Sequence, residues 1–371
     1  MRSKRHLSVA GAILSALALC TLLALPVQAA HANVQTATRT ASATIINANV
    51  YLTAQMLQPI FQSNINQQMP QMMGNAIASM VNQLPQQDQG WASQMAGALL
   101  QPSATLIGLK PEGSGLLATF KINLYPGDPK ATTTSLLIGF KVINGSTIQV
   151  TALPTANGES SLVSGPLTTF RVPIGTLNSI VTTPHCGDAD LSINLKFPLA
   201  LGASGTASHQ GAMSTTAISY TRPAVSSPTA YVEIPSASLA QLGSSIGSIP
   251  VSSSLTAENI RVGVSGSDLT ATSDIYWHGI IIGTAVSTMV PEAVSGNLAV
   301  HVLKTDLSIL GGLISFPLNS YNTQIEQMLN GKLNGALAGK FTVTQAAVGS
   351  NPKLTCVKSD SLILGGTIAL G

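Results

Sequence analysis

The sequence predicts an α+β protein of two tandem units, each an antiparallel β-sheet packed on an amphipathic helix. Three observations predict it. Two long stretches repeat apolar residues every three or four positions, the period of a helix face, while many short runs fit strands. Turn signals separate the short runs at hairpin spacing. Segments of the first half recur, in the same order, in the second half.

The first long stretch, Val50 to Leu84, organises the rest. Its apolar positions are Val50, Ala54, Leu57, Phe61, Ile65, Met69, Met73, Ile77, Val81 and Leu84, and its other face is Asn, Gln and Ser. No charged residue occurs between Arg39 and Asp88. One straight helix of this length would span roughly 50 Å at 1.5 Å per residue. Pro59 and Pro70 each remove an amide donor, so the expectation is two or three helical pieces in line. Met56, Met69, Met72, Met73 and Met80 crowd the segment. Methionine is flexible and polarizable, and suits an irregular core or a surface that accepts ligands of irregular shape. Packed core is the plainer reading. The sharper one makes Phe61, Ile65, Met69, Met73, Ile77 and Met80 the wall of an apolar ligand site.

The N-terminus reads as a secretory signal peptide over residues 1–32. Arg2, Lys4 and Arg5 precede an apolar run from Leu7 to Leu25, and Val27-Gln28-Ala29 and Ala30-His31-Ala32 offer small-x-small cleavage sites. Leu19 stands where a lipobox before Cys20 would want a small residue. No later run reaches the ~18 apolar residues of a membrane span. The expected mature protein is exported, either secreted or held at the cell envelope.

Removing the leader's three basic residues leaves fourteen against fourteen acidic ones. With no net charge and no basic run, nucleic acid is not an expected partner. Charged residues make up 8% of the chain and hydrophobic ones 45%, a balance that argues against disorder. About 340 mature residues fit two domains. The mature chain holds two cysteines, Cys186 and Cys356. In an oxidising compartment such a pair predicts one disulfide.

Taken in order, residues 33–219 form the first unit. A polar, Thr-rich lead-in precedes the methionine-rich helix, and Trp91 to Leu100 adds a short helix stopped by Pro102. Strands follow over 104–110, 116–124, 134–142, 147–153, 167–174 and 190–199. Residues 220–228 (YTRPAVSSP) read as a linker, and 229–371 form the second unit. It opens with a helical piece, 237–246, and continues with strands over 249–255, 260–264, 269–277, 280–286 and 298–303. A helix from Leu318 to Leu337 carries Tyr321, Ile325, Met328, Leu329, Leu333 and Leu337 on one face. Strands over 341–348 and 362–370 close the chain.

The repeat is visible in three places. Residues 113–122 (GSGLLATFKI) match 266–275 (GSDLTATSDI) at six of ten positions; residues 145–150 track 296–302; residues 186–193 track 356–363. The spacing grows between the matches where the second half inserts its long helix. The two cysteines fall at equivalent places, each before a strand, so their bond would staple the halves together.

Catalytic signatures are missing. GVSGSD at 263–268 has the wrong spacing for a nucleophile turn. There is no Walker loop or dinucleotide fingerprint. His185, His209, His278 and His301 are not paired at ligand spacing. His185-Cys186-Gly187-Asp188-Ala189-Asp190 is polar, but it lacks the second Cys/His pair of a zinc site and the oxygen-rich loop of a calcium site. It reads as a turn carrying a disulfide. Glu292 and Glu326 stand on different elements and form no carboxylate pair. No metal and no cofactor is expected.

The order of elements, most visible from Ile249 to Leu337, runs through strand pairs to Gly296-Asn297-Leu298-Ala299-Val300, then Phe316-Pro317-Leu318 and the helix. In this order the chain resembles the tubular lipid-binding superfamily, which includes bactericidal permeability-increasing protein. The resemblance implies curved antiparallel sheets wrapped around a long helix, with acyl chains between them, and lipid binding or transfer without covalent chemistry. The expected function is therefore non-enzymatic binding of a lipid or other apolar small molecule. The alternative is a surface or adhesion protein of two β-rich repeats with solid cores.

Overall fold

The computed structural model describes residues 44–153, 165–187, 189–199 and 227–370. The leader, the lead-in before Thr44, His209 and most of the 220–228 linker lie outside them. The chain enters as β1 (Thr44–Thr53), a helical hairpin of α1 (Ala54–Val81) and α2 (Gln86–Leu99), and a meander. The meander is β2 (Ser103–Glu112), β3 (Gly115–Asn123), β4 (Thr132–Asn144), β5 (Thr147–Leu153) and β6 (Gly165–Arg171). The hairpin β7 (Thr176–Cys186) and β8 (Ala189–Leu199) follows.

The second half also begins with a strand and a helix and ends with a hairpin. It runs β9 (Ala230–Pro235), α3 (Ser236–Ser244) and β10 (Ile249–Pro250), then the meander β11 (Leu255–Ser265), β12 (Asp268–Trp277), β13 (Ile280–Val294) and β14 (Asn297–Ile309). A 3-10 turn, Leu310–Gly312, leads to β15 (Ile314–Pro317) and α4 (Asn319–Leu337). The hairpin β16 (Phe341–Val348) and β17 (Ser361–Ile368) closes the chain.

All pairing is antiparallel, in three sheets. Each meander forms one, and the third is shared in the order β16-β17-β9-β1-β8-β7. At its centre β1 pairs with β9 through rungs such as Val50↔Val232. Outward from that pair lie the hairpin β8–β7 on one side and β17–β16 on the other. The α+β class is as expected. Residues from Thr44 onward form one compact unit, because strands of both halves complete one sheet.

One contiguous core runs through the molecule. It takes Val50 and Leu52 from β1, Leu57 and Phe61 from α1, and Val232 and Ile234 from β9. Tyr321, Ile325, Leu329, Leu333 and Leu337 of α4 join it, and Met328, the other residue of the stripe read from the sequence, packs half-buried against it. A smaller cluster covers the other face of the central sheet with Tyr51, Cys186, Ala189, Tyr231, Leu354 and Ile363. Cys186 and Cys356 are disulfide-bonded with Cα atoms 4.9 Å apart, joining the β7–β8 turn to the β16–β17 connection.

Several boundaries depart from expectation. The long helix begins at Ala54, since Val50 to Thr53 belong to β1. Those four residues are buried on both faces, and a doubly buried strand shows no alternation. Pro59 and Pro70 lie inside one helix rather than between pieces. The expected strand 249–255 is mostly connection, with β11 starting at Leu255. Strands β7, β9 and β15 were not anticipated.

Two helices are docked on strand edges by side chains that behave like backbone. Along the stretch of β14 not reached by β15, the Leu298 N–H donates to Asn334 Oδ1 (2.9 Å) and Asn334 Nδ2 donates to the Leu298 carbonyl (2.7 Å). Asn330 makes the same pair with Val300 (2.7 and 3.3 Å), and Glu326 accepts from the Val302 N–H (2.7 Å). Four helical residues rise about 6 Å and two strand residues about 6.7 Å, so every fourth helix side chain meets every second strand residue. On α1, Gln62 accepts from the Leu106 N–H and donates to the Ala104 carbonyl of edge strand β2, both at 2.7 Å.

Candidate functional site

The stripe expected to bind a ligand divides along α1. Phe61 is 3% exposed and lies 6.3 Å, ring to ring, from Phe140. Ile65 is half-buried against the same core and Ile77 is half-buried. Met80 is 58% exposed. The side chains of Met69 and Met73 lie outside what the structure describes. The stripe is thus core at its N-terminal end and reaches the surface toward its C-terminal end. There, Leu84 and, on α2, Trp91, Met95 and Leu99 are exposed as well.

A groove of about 400 Å³ lies on a different face of α1. Its wall on the helix is Pro59, Ile60, Ser63, Asn64 and Gln67, and its opposite wall is Thr168, Thr169 and Phe170 of β6. Leu370, just beyond β17, closes one side. The helix side follows from spacing, since positions 60, 63, 64 and 67 share one face. The strand side is the outer edge of a meander, because among the described residues β6 pairs only with β5. In the other meander α4 covers an edge of β14. The groove holds four apolar side chains, three amide or hydroxyl groups from the helix and two threonines. It holds no titratable side chain. The Asn64 amide is engaged within its own helix, donating to the Ile60 carbonyl at 2.8 Å. None of the six stripe residues lines the groove. Nothing in the sequence marked its helix wall, whose Ser, Asn and Gln read as a solvated face.

The other concentration of polar groups is structural. Glu233 of β9 is 2% exposed. Its Oε2 accepts from Tyr51 OH (2.7 Å) and Asn49 Nδ2 (2.8 Å), and its Oε1 from Ser361 Oγ (2.9 Å) and the Lys358 N–H (3.3 Å). Asn178 Nδ2 donates to Asn194 Oδ1 (3.1 Å), and Asn194 Nδ2 to Asn49 Oδ1 (2.9 Å), so a row of amides crosses the sheet and ends on the carboxylate. Burial and the adjacent Glu233 push the Tyr51 phenol well above the usual tyrosine range. Burial pushes Tyr321 up and Lys332 down; Lys332 Nζ donates to the Ser245 carbonyl at 2.9 Å. Among the described residues no three His, Cys, Asp or Glu are grouped to hold a metal ion. Cys186 of the polar hexapeptide is in the disulfide and Gly187 turns the chain with a positive φ. Asp188 and the His185 side chain lie outside the described residues.

No family model and no curated protein matches the chain. Among solved structures it is similar to P47 of Clostridium botulinum E1, at 9% identity over 88% of this chain and 99% of that one, with a TM-score of 0.27. A score that low does not establish a shared fold.

Proposed function

We propose that this chain is an exported, non-enzymatic binding protein for an apolar ligand with a small polar group, taken up in the groove between α1 and β6. The observation that carries the reading is the groove itself. Its volume is within the range of small-molecule sites, and its lining mixes apolar walls with a few uncharged hydrogen-bonding groups. A single acyl chain with a neutral or singly charged head at the rim fits that chemistry. On this reading the halves are tandem units, with α4 covering an edge of the second meander and the groove lying at the outer edge of the first. The resemblance to tubular lipid-binding proteins agrees with it. A disulfide persists in oxidising compartments, and export to the cell envelope follows the same line.

The test is uptake of a fluorescent single-chain fatty acid. Ser63 is exposed and lines the groove, so Ser63→Phe fills it without touching the core. Uptake is expected to be lost in Ser63→Phe and kept in Met80→Ala. Equal uptake by Ser63→Phe and the parent overturns the groove as the site. One observation favours a second reading, a solid two-repeat surface scaffold: five of the six residues of the α4 stripe are at most 4% exposed, and the sixth, Met328, is half-buried against the same core. That reading expects no uptake and no co-purifying lipid in native mass spectrometry.

A further inference from the structure

The end of the second meander carries a surface that the groove does not explain. Two tight turns meet there. The β12–β13 hairpin turns through His278 and Gly279, both at positive φ, the pairing of a two-residue hairpin loop. The 3-10 turn after β14 passes through Gly311 and Gly312, also at positive φ, and packs on β13. Register fixes the two side by side, since Gly283 pairs with Ile309 and Ile309 with Ile314. Between them they expose Trp277, Ile280, Ile281, Leu313, Ile314 and Phe316. Leu313, at 84%, is nearly as exposed as a residue in an extended chain.

Charge is absent from the same end. No Asp, Glu, Lys or Arg occurs between Glu233 and Glu258, between Asp274 and Glu292, or between Asp306 and Glu326. The turns of the tip lie within the last two of these segments, and Ser254 and Leu255, beside His278 and Trp277, lie within the first. Asp274 lies three residues up the strand from Trp277, about 10 Å at strand rise. Around Trp277, Ile280, Ile281 and Leu313 the uncharged zone therefore has the height of the 5–10 Å to which interfacial elements sink into a bilayer, with Phe316, beside Asp306, at its upper margin. Six large exposed apolar side chains thus cluster in and beside two turns at one end of the sheet. A cluster with an aromatic ring among aliphatic ones and no charge complements a hydrocarbon surface bounded by headgroups, where Trp is favoured.

We propose that this tip, formed by the β12–β13 hairpin and the turn before β15, docks the protein on a lipid bilayer by inserting Trp277, Ile280, Ile281 and Leu313 into the interface. Its source of affinity is apolar burial, so attachment does not require anionic lipid. The inference stands apart from the groove. Groove and tip share no residue, and each has a variant that leaves the other alone.

The experiment uses the full mature chain and phosphatidylcholine vesicles. Trp91 and Trp277 are the two tryptophans, and Trp91 is exposed on α2, so Trp91→Phe leaves Trp277 as a site-specific reporter. With vesicles, its emission is expected to shift to the blue and to be quenched by brominated acyl chains. Binding is expected to change little between low and high salt. Ile280→Asp and Leu313→Asp, at exposed positions, should each lower partitioning at least about tenfold while leaving fatty-acid uptake intact. Trp277 emission unmoved by vesicles overturns the proposal, including when the protein still co-sediments with them through some other surface. Sedimentation velocity without lipid covers the remaining occupant. A dimer dissolved by Ile280→Asp assigns the tip to a second copy and also overturns the proposal.

Discussion

Glu233 shows how one residue couples chemistry to stability. A buried carboxylate is tolerated because four donors converge on it, two on each oxygen. Removing one leaves an under-satisfied acceptor, so Tyr51→Phe is expected to lower stability by about 1–3 kcal/mol in urea denaturation. The same phenol sets an alkaline limit. Its pKa is raised in the folded state, so the folded protein holds the proton longer than the unfolded chain does. The associated stability is complete below the ordinary tyrosine pKa of about 10 and is lost as pH climbs beyond it. Stability measured against pH above that point should fall more steeply for the parent than for Tyr51→Phe. Tyr321, shifted the same way, keeps some slope in both. None of this was legible beforehand. Asn49, Tyr51, Glu233 and Ser361 are spread across the sequence, and only strand register makes them neighbours.

At the scale of elements, legibility followed burial. Strands with one polar face, such as β5 and β12, alternate and were found with near-correct bounds. Strand β9 and the last four residues of β1 sit mid-sheet and are buried on both faces, so the end of β1 was merged into the helix and β9 was passed over. Strand β7 was missed because irregularities between Leu177 and Ser179, and between Thr182 and Cys186, break its period. The four residues of β15 are all exposed and carry no pattern. Helix α4 was legible because its apolar stripe faces the core. Its docking was not, although Glu326, Asn330 and Asn334 stand four apart. That docking predicts a cost. Asn330→Leu strips the Val300 N–H and carbonyl of their partners, and should lower stability by about 1–3 kcal/mol for each group left dry. Gly243 of α3 makes a similar point by contact. A Cβ there would meet Val262 N at 2.6 Å and the Ile260 carbonyl at 2.9 Å, so Gly243→Ala should push α3 off β11 and lower the melting temperature.

For the whole molecule, the shared sheet decides behaviour. The halves read as repeats in the sequence, and one hairpin from each flanks the central pair of β1 and β9. Yet the pairing of β1 with β9 means neither half has a complete sheet. Residues 44–199 expressed alone are expected to expose the β1 edge and aggregate, and to become soluble on co-expression with 227–371. Their link was the one long-range contact the sequence allowed, because two cysteines permit a single pairing. The bond spans 170 residues, and Cys186→Ala with Cys356→Ala should lower stability by about 2–5 kcal/mol in urea without abolishing the fold. The amide row crosses the same seam, and it has a direction. Each Asn hands its protons one way because the last group in line can only receive. Glu233→Gln keeps a polar partner at that place but supplies one that can also give. The row then has two equivalent readings, and a sheet that now holds one arrangement would flicker between two.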